Sequence, residues 1–267
     1  MKKKILGLSA ASVAGALALV GGYLTMPDGT GPAPALAQVG TVTFPELEAL
    51  VVLGARREDK LKRIAEEIAK EGGEAVYQEL DVTKQAENDA IVKLTKEKFG
   101  KVDVIFLNAG LMPNSPLSAL KTDDWHEMVA VNVTGVLNGV AAVLPEFIAQ
   151  KSGHVITTSS VAGLKAYPNG AVYGGTKWFV RDFMEVLRME SATEGTNIRT
   201  AAIYPAAINT ELLGTISDKG TAEGMQAVYD RYGISPDRIA DVVAFAIDAP
   251  DDTTINEFTV GPANQPW

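Results

Sequence analysis

From Ala49 onward the chain runs through two rhythms of apolar positions that repeat to its end. Ala49 to Ala55 is a continuous apolar stretch of strand length, and Leu61, Ile64, Ala65, Ile68 and Ala69 then recur at helical spacing until Gly72 and Gly73 stop them. The pattern next predicts a strand over Ala75 to Leu80, a helix over Gln85 to Phe99 and an apolar strand over Val102 to Leu107. A long helix is expected over Asp124 to Gln150, with further strands at His154 to Thr158, Asn197 to Ile203 and Ile255 to Val260 separated by helical segments. Strands alternating with helices imply right-handed crossovers and a parallel sheet covered on both faces. The expected fold is a doubly wound, mainly parallel, Rossmann-like α/β domain, with ligands beyond the carboxyl ends of its strands.

The first 48 residues read differently. Lys2, Lys3 and Lys4 precede Ile5 to Leu24, a run without charge and rich in Ala, Gly, Leu and Val. A basic start before an apolar run is the pattern of an export leader, and Ala35-Leu36-Ala37 supplies small residues of the kind a signal peptidase reads. The uncharged run also has the length of a minimal membrane span, so an anchor contacting the membrane through Ile5 to Leu24 is a second reading and an Ala-rich buried helix a third. The expected organisation is a leader or anchor with its linker over 1–48 and one globular body over 49–267.

Composition narrows the chemistry. With 267 residues, 46% of them hydrophobic, the chain can bury one sizeable core. Its net charge of -9 argues against nucleic acid, which demands clustered Lys and Arg. The absence of Cys excludes disulfides and thiolate metal sites. Two histidines, His126 and His154, cannot make a histidine-rich cluster, and neither lies in a hydrolase nucleophile motif; no metal is expected.

One stretch concentrates reactive groups: SVAGLKAYPNGAVYGGTK, from Ser160 to Lys177. Tyr173 and Lys177 are four apart and share a helix face, so the ammonium can sit beside the phenol and favour its anion. A Tyr and a Lys so spaced are also common on solvated helix faces. The stretch resembles the short-chain dehydrogenase/reductase family, in which a Ser precedes Tyr-x-x-x-Lys by the interval that separates Ser160 from Tyr173. The resemblance implies that Tyr173 is the general acid/base, assisted by Lys177, and that Ser160 orients the substrate carbonyl and stabilises its developing charge.

Further motifs follow in family order from Leu50 to the C-terminus. Leu107-Asn108-Ala109-Gly110 resembles the family's Asn-Asn-Ala-Gly element beside the cofactor's adenosine half, with Leu107 in place of the first Asn. Asn132 matches the Asn that interrupts helix bonding and holds a water linking the active-site Lys to solvent; it also begins an Asn-Val-Thr sequon. Asp81-Val82 falls where the family contacts adenine, although an Asp at a strand end is equally an N-cap for the next helix. Pro205, Ile208 and Thr210 resemble the element framing the nicotinamide carboxamide, with Ala206 where a Gly is usual, a change tolerable only at negative φ. Arg56 and Arg57 follow the Ala49 to Ala55 strand, where a guanidinium accommodates the 2′-phosphate of NADP; a solvated Arg pair is the plainer reading.

The family's first strand ends in Thr-Gly-x-x-x-Gly-x-Gly, and no such motif stands in this chain. Ser9 to Ala16 imitates it with Ala in place of each Gly, and Val39 to Phe44 lies too close to Leu50 for a parallel crossover. The expectation is therefore a reductase body that has lost its first strand and glycine loop to a leader. Function follows in two versions: an NADP(H)-dependent oxidoreductase interconverting a small-molecule carbonyl and a secondary alcohol, or a catalytically silent, exported or membrane-tethered binding protein. Family resemblance implies the cytoplasm and a homo-oligomer, whereas the leader implies export or anchoring. The tail Val260 to Trp267, which ends in an aromatic, is expected at a subunit contact.

Overall fold

The computed structural model describes residues 4–8, 50–70 and 73–266. Its frame is one seven-stranded sheet. In chain order the strands are β1 (Lys4–Leu8), β2 (Leu50–Ala55), β3 (Glu74–Glu79), β4 (Val104–Leu107), β5 (Gly153–Thr158), β6 (Ile198–Pro205) and β7 (Glu257–Val260). They lie in the order 3-2-1-4-5-6-7, and every neighbouring pair is parallel. Among the described residues the α-helices are α1 (Glu58–Lys70), α2 (Gln85–Phe99), α3 (Thr122–Val129), α4 (Gly135–Gln150), α5 (Ala171–Glu194), α6 (Lys219–Tyr232) and α7 (Asp237–Asp248).

The doubly wound α/β fold is as expected, but the first strand is not lost. Lys4–Leu8 pairs with β2 on one side, Lys4 opposite Leu50, and with β4 on the other, Ile5 opposite Val104. A basic residue followed by a short apolar run fits a leader and a buried parallel strand equally well, because neither shows internal periodicity. What separates them is a neighbour on each side, which only the folded sheet provides. The anchor reading of Ile5 to Leu24 is corrected at its start, since Ile5 to Leu8 belong to the centre of the sheet. The rest of the leader, the Ser9 to Ala16 imitation, Val39 to Phe44 and the question of the glycine loop lie outside the described residues.

Apolar side chains cover both faces of the sheet, as buried parallel strands require. On one face α1 and α7 bring Leu61, Ile64, Val243 and Ile247 against Val51, Val104 and Ile203. On the other, α2, α4 and α5 bring Ile91, Val143, Phe147 and Met184 against Val52, Ile105 and Val155. Phe147 is fully buried, and truncating such a ring to Ala costs about 3–5 kcal/mol. The edge strands β3 and β7 are only half covered.

The helix expected over Asp124 to Gln150 is interrupted. Thr122–Val129 and Gly135–Gln150 are α-helical, and Ala130–Thr134 between them is a π turn. Together they form the one described helix long and apolar enough to cross a membrane, and it packs on the sheet through Val140, Val143 and Phe147. The order of strands reverses between β1 and β4, and in such sheets the ligand crevice opens beyond the strand ends at that reversal.

Candidate active site

The polar residues singled out in the sequence converge beyond the ends of β4, β5 and β6. After β5 the chain passes through Ser159 and Ser160 into a short 3-10 turn, Val161–Gly163. Ser160 is extended and caps that turn, its Oγ accepting from the Ala162 amide at 3.1 Å. The turn can press on α5 because residue 163 is glycine: a Cβ there would lie 2.7 Å from the Lys177 carbonyl oxygen. Ser159 Oγ donates to that same carbonyl at 3.0 Å. Tyr173 stands on the first turn of α5 and Lys177 one turn later, both buried, with Lys177 Nζ 5.7 Å from the centre of the Tyr173 ring. The Tyr173 phenol is hydrogen-bonded to the Ser160 side chain, and Lys177 Nζ donates to the Thr158 carbonyl at 2.7 Å.

Burial dominates the electrostatics here. It pushes the Tyr173 phenol far above its ordinary range; Tyr167 and Tyr229 push the same way, against the Ser160 bond, which favours the phenolate. Burial also pulls Lys177 down to about 8. The sequence expectation weighed the attraction between Lys177 and a phenolate but not the desolvation that opposes it. In the protein alone Tyr173 is held as the neutral acid, the form that can give up a proton.

Asn132 lies in the π turn and is 1% exposed, too deep for a glycan to reach its sequon. Its Oδ1 accepts from the Leu111 amide at 2.8 Å, and its Nδ2 donates to the Leu111 carbonyl at 2.9 Å and to Thr176 Oγ1 at 3.1 Å. Widened helical turns of this kind recur at functional sites. This one clamps the loop after β4 to the helix carrying Tyr173 and Lys177. A Cβ on Gly110 would lie 3.5 Å from Asn132 Oδ1 and 3.6 Å from Lys177 Nζ, ordinary contact distances that place residue 110 directly beside both groups.

In front of these groups is a cavity of about 400 Å³. Asn108, Gly110, Ser160, Tyr173 and Lys177 line one side, and Pro205, Ile208 and Thr210 the other. A second hollow of about 270 Å³ is lined by Arg56, Asp81, Val82 and Gly110. Gly110 borders both. Asp81 is no helix cap: its Oδ1 accepts from the Thr83 amide and hydroxyl, while α2 begins at a Lys84 cap without a side-chain bond. Burial opposes ionisation of Asp81, but the two Thr83 bonds together with the charges of Lys84 and Arg56 outweigh it and hold the carboxyl below its usual range. Ala206 has no positive φ, so its methyl is accommodated, and its amide donates to the Val260 carbonyl.

A family model described as short chain dehydrogenase matches residues 30–220. The chain belongs to the short-chain dehydrogenase family. It is 63% identical over 238 residues to an uncharacterized oxidoreductase of Listeria innocua, covering 89% of this chain and 96% of that protein, and equally so to one of Listeria monocytogenes. Among solved structures, an alcohol dehydrogenase from Thermococcus sibiricus complexed with 5-hydroxy-NADP matches with a TM-score of 0.77 and 26% identity, over 100% of this chain and 99% of that one. A closed form of serine dehydrogenase complexed with NADP+ has a TM-score of 0.79 at 24% identity, covering 98% of this chain and 96% of that one; it shares the fold. The chain is therefore an oxidoreductase of this family, whose solved relatives hold NADP in some cases and NAD in others.

Within that frame three of the expected site residues stand apart from the cavities. Ala109 packs on the core, and Asn132 lies behind Gly110. Arg57 does not face an open phosphate site: its guanidinium is 2.6 Å from Glu211 Oε2, while Lys60 Nζ reaches Glu211 Oε1 at 2.7 Å. These two cations hold Glu211 down to about 2. Lys60 and Glu211 escaped the sequence reading, as did Tyr167, Tyr229 and Asn114 around the cavity. Nothing local marks them, because each acquires meaning from a partner on a different element. The tail has partners within its own chain. The Ala207 amide donates to Gln265 Oε1 at 3.1 Å, and Gln265 and Pro266 turn in to line the cavity of their own chain. Trp267 lies outside the described residues.

Proposed function

We propose that this short-chain dehydrogenase uses NADP(H) to interconvert a carbonyl and a secondary alcohol on a small molecule. The observation that carries the reaction is the buried Ser160, Tyr173 and Lys177 corner opening on one cavity. Tyr173 is the proton donor and acceptor, Ser160 orients the substrate oxygen, Lys177 supplies charge beside the phenol, and Asn132 holds the proton path behind them. The nicotinamide cofactor, when bound, supplies or takes the hydride.

The residues present fit such a cofactor. Asp81 and Val82 offer an adenine contact, Asn108, Ala109 and Gly110 a wall, and Pro205, Ile208 and Thr210 a frame for the carboxamide. The preference for NADP(H) rests on Arg56, Arg57 and Lys60 after β2. The Glu211 carboxylate stands in for an anion there, one oxygen on Arg57 and the other on Lys60, the paired contact that a phosphate also offers. Replacing Arg56, Arg57 and Lys60 by Ala should weaken NADPH at least about tenfold more than NADH in fluorescence titrations, since charge-assisted bonds contribute about 1.5–3 kcal/mol each before solvent screening. Equal losses for the two cofactors would return the choice between them to the open state.

The surface supports a homo-oligomer. Leu137 and Ile148 on α4, and Trp178, Val186 and Met189 on α5, are exposed apolar side chains on neighbouring helices. A cytoplasmic location agrees with an NADP(H) enzyme and with a central strand that takes up the start of the supposed leader. The silent-binder alternative has no observation in its favour at the catalytic corner, where every reactive group is present.

A further inference from the structure

Past Tyr173 the cavity continues between the turn that follows β5 and helix α6. Its walls there are Met112, Leu212, Met225 and Val228, all apolar, and two phenols, Tyr167 and Tyr229. Gly170 leaves room for the Tyr167 ring, which a Cβ at that position would strike. Beneath the ring lies Asn114, 1% exposed, whose Nδ2 donates to the Tyr167 hydroxyl oxygen at 2.9 Å. That bond uses the oxygen as an acceptor and leaves its proton free to be donated elsewhere. Among the described residues no acceptor meets it. Tyr229 is 8% exposed, and its hydroxyl has no hydrogen-bond partner among the described residues. Both phenols are near enough to Tyr173 to oppose its ionisation, and Tyr167 acts on Tyr229 in the same way.

Tyr167 is half-buried and Tyr229 buried, so each brings an O–H donor to the cavity beside an apolar wall, where a ligand oxygen can accept from it. Fixed donors facing a cavity are also how a site discriminates between ligands that differ by one polar group. Lys165 and Lys177 are the charged residues on the cavity wall; Lys165 is exposed at the rim and Lys177 is engaged with Thr158. The site is thus built for a neutral molecule.

We propose that Tyr167 and Tyr229 form a second polar subsite that binds an oxygen acceptor next to the reacting carbonyl, so that the substrates are neutral diketones or hydroxyketones and, in the reverse direction, diols. Asn114 is the positioning residue that sets the direction of the Tyr167 proton. This rests on the carbonyl reductase reading of the same corner and adds a binding contact without a new bond-making step.

The test compares 2,3-hexanedione with 2-hexanone, which share a carbon skeleton and differ by one oxygen. The unmodified protein should reduce the dione with a kcat/KM at least about tenfold higher, the discrimination worth roughly 1.4 kcal/mol. In Tyr167→Phe and in Tyr229→Phe that ratio should fall, and in the double variant fall further, toward the advantage that the dione's greater electrophilicity alone provides, through a rise in the dione's KM. Asn114→Leu should lower the ratio as well, though Tyr167 remains. An unchanged ratio in the double variant, or a preference for 2-hexanone in the unmodified protein, overturns the subsite. A 2-oxo acid preferred over the dione, with the preference lost in Lys165→Ala, overturns the neutral class. Should the protein reduce neither ketone with NADPH or NADH, the reductase reading fails by itself. Saturation-transfer NMR of the two ketones against the protein then decides the subsite alone: weaker dione signals in the Tyr167→Phe/Tyr229→Phe variant uphold it, and equal signals refute it.

Discussion

The two ends of the cleft are built on different physics. At the catalytic end Tyr173, Lys177 and Ser160 are buried, with Lys177 tied to the backbone of Thr158 and Ser160 to that of Ala162 and Pro205. At the exposed end Arg57 and Glu211 keep 37% and 48% of their side-chain surface, and their ion pair lies open to solvent. A buried polar network holds one geometry because each broken bond leaves an unsatisfied group in low dielectric. An exposed ion pair contributes about 0–1 kcal/mol and exchanges readily, so another anion can replace the carboxylate. On the proposed reading, chemistry is placed where geometry must not change, and cofactor choice where one anion must give way to another.

The largest effect is expected from Tyr173→Phe, which removes a single hydroxyl from the buried end. Turnover should fall by about 10²–10⁴, the usual contribution of a positioned acid or base. The thermal midpoint should move little, and steady-state assay beside calorimetry checks both; retained turnover would deny Tyr173 its role. Gly163→Ala sharpens the same end. The added Cβ must move the Ser160 turn away from α5, and displacements approaching 1 Å cost up to about a hundredfold in rate. A fall in kcat with little change in cofactor affinity is expected, whereas unchanged kinetics would mean that the turn relaxes freely.

Lys177 offers a test of burial by pH. It titrates at about 8 against an ordinary 10.5, so between those values the unfolded chain holds a proton that the folded chain has lost, and stability rises with pH. Below that window the cost of the buried charge is fully present; as pH rises through it, the cost is relieved. Above about pH 10 the raised phenols of Tyr173 and Tyr229 reverse the trend. Urea midpoints at pH 7.5 and 9.5 should therefore rise in the unmodified protein and flatten in Lys177→Met; parallel slopes would count against a buried Lys177. The smallest effect belongs to the exposed end. Glu211→Gln removes the competing carboxylate and should tighten NADPH about two- to fivefold, within the range of a surface ion pair, leaving NADH nearly unmoved. Weaker NADPH binding in that variant would show that Glu211 supports the site instead of occupying it.

How legible each end was in the sequence follows from the same contrast. Ser160, Tyr173 and Lys177 sit on one turn and one helix, so their spacing along the chain already puts them together. The pairing of Arg57 with Glu211 joins residues 154 positions apart, and that of Asn114 with Tyr167 joins residues 53 apart. No local pattern encodes either. Asn132 was legible as an Asn that disturbs a helix, while its bonds to Leu111 and Thr176 became visible only when α5 packed beside the π turn.

The sequence by itself determined the alternation of strands and helices, the parallel sheet that this alternation requires, and the order of reactive groups along the last strands. These are consequences of periodicity and of spacing within a single element, which a chain carries before it folds. Tertiary structure alone decided that Lys4–Leu8 is the central strand, that Glu211 sits on Arg57 and Lys60, and that Tyr167 and Tyr229 line one cavity with Tyr173. A strand's place depends on which edges lie beside it, and the state of a buried polar group depends on who its neighbours are. Both are properties of contacts between distant segments, which exist only once the sheet has closed around them.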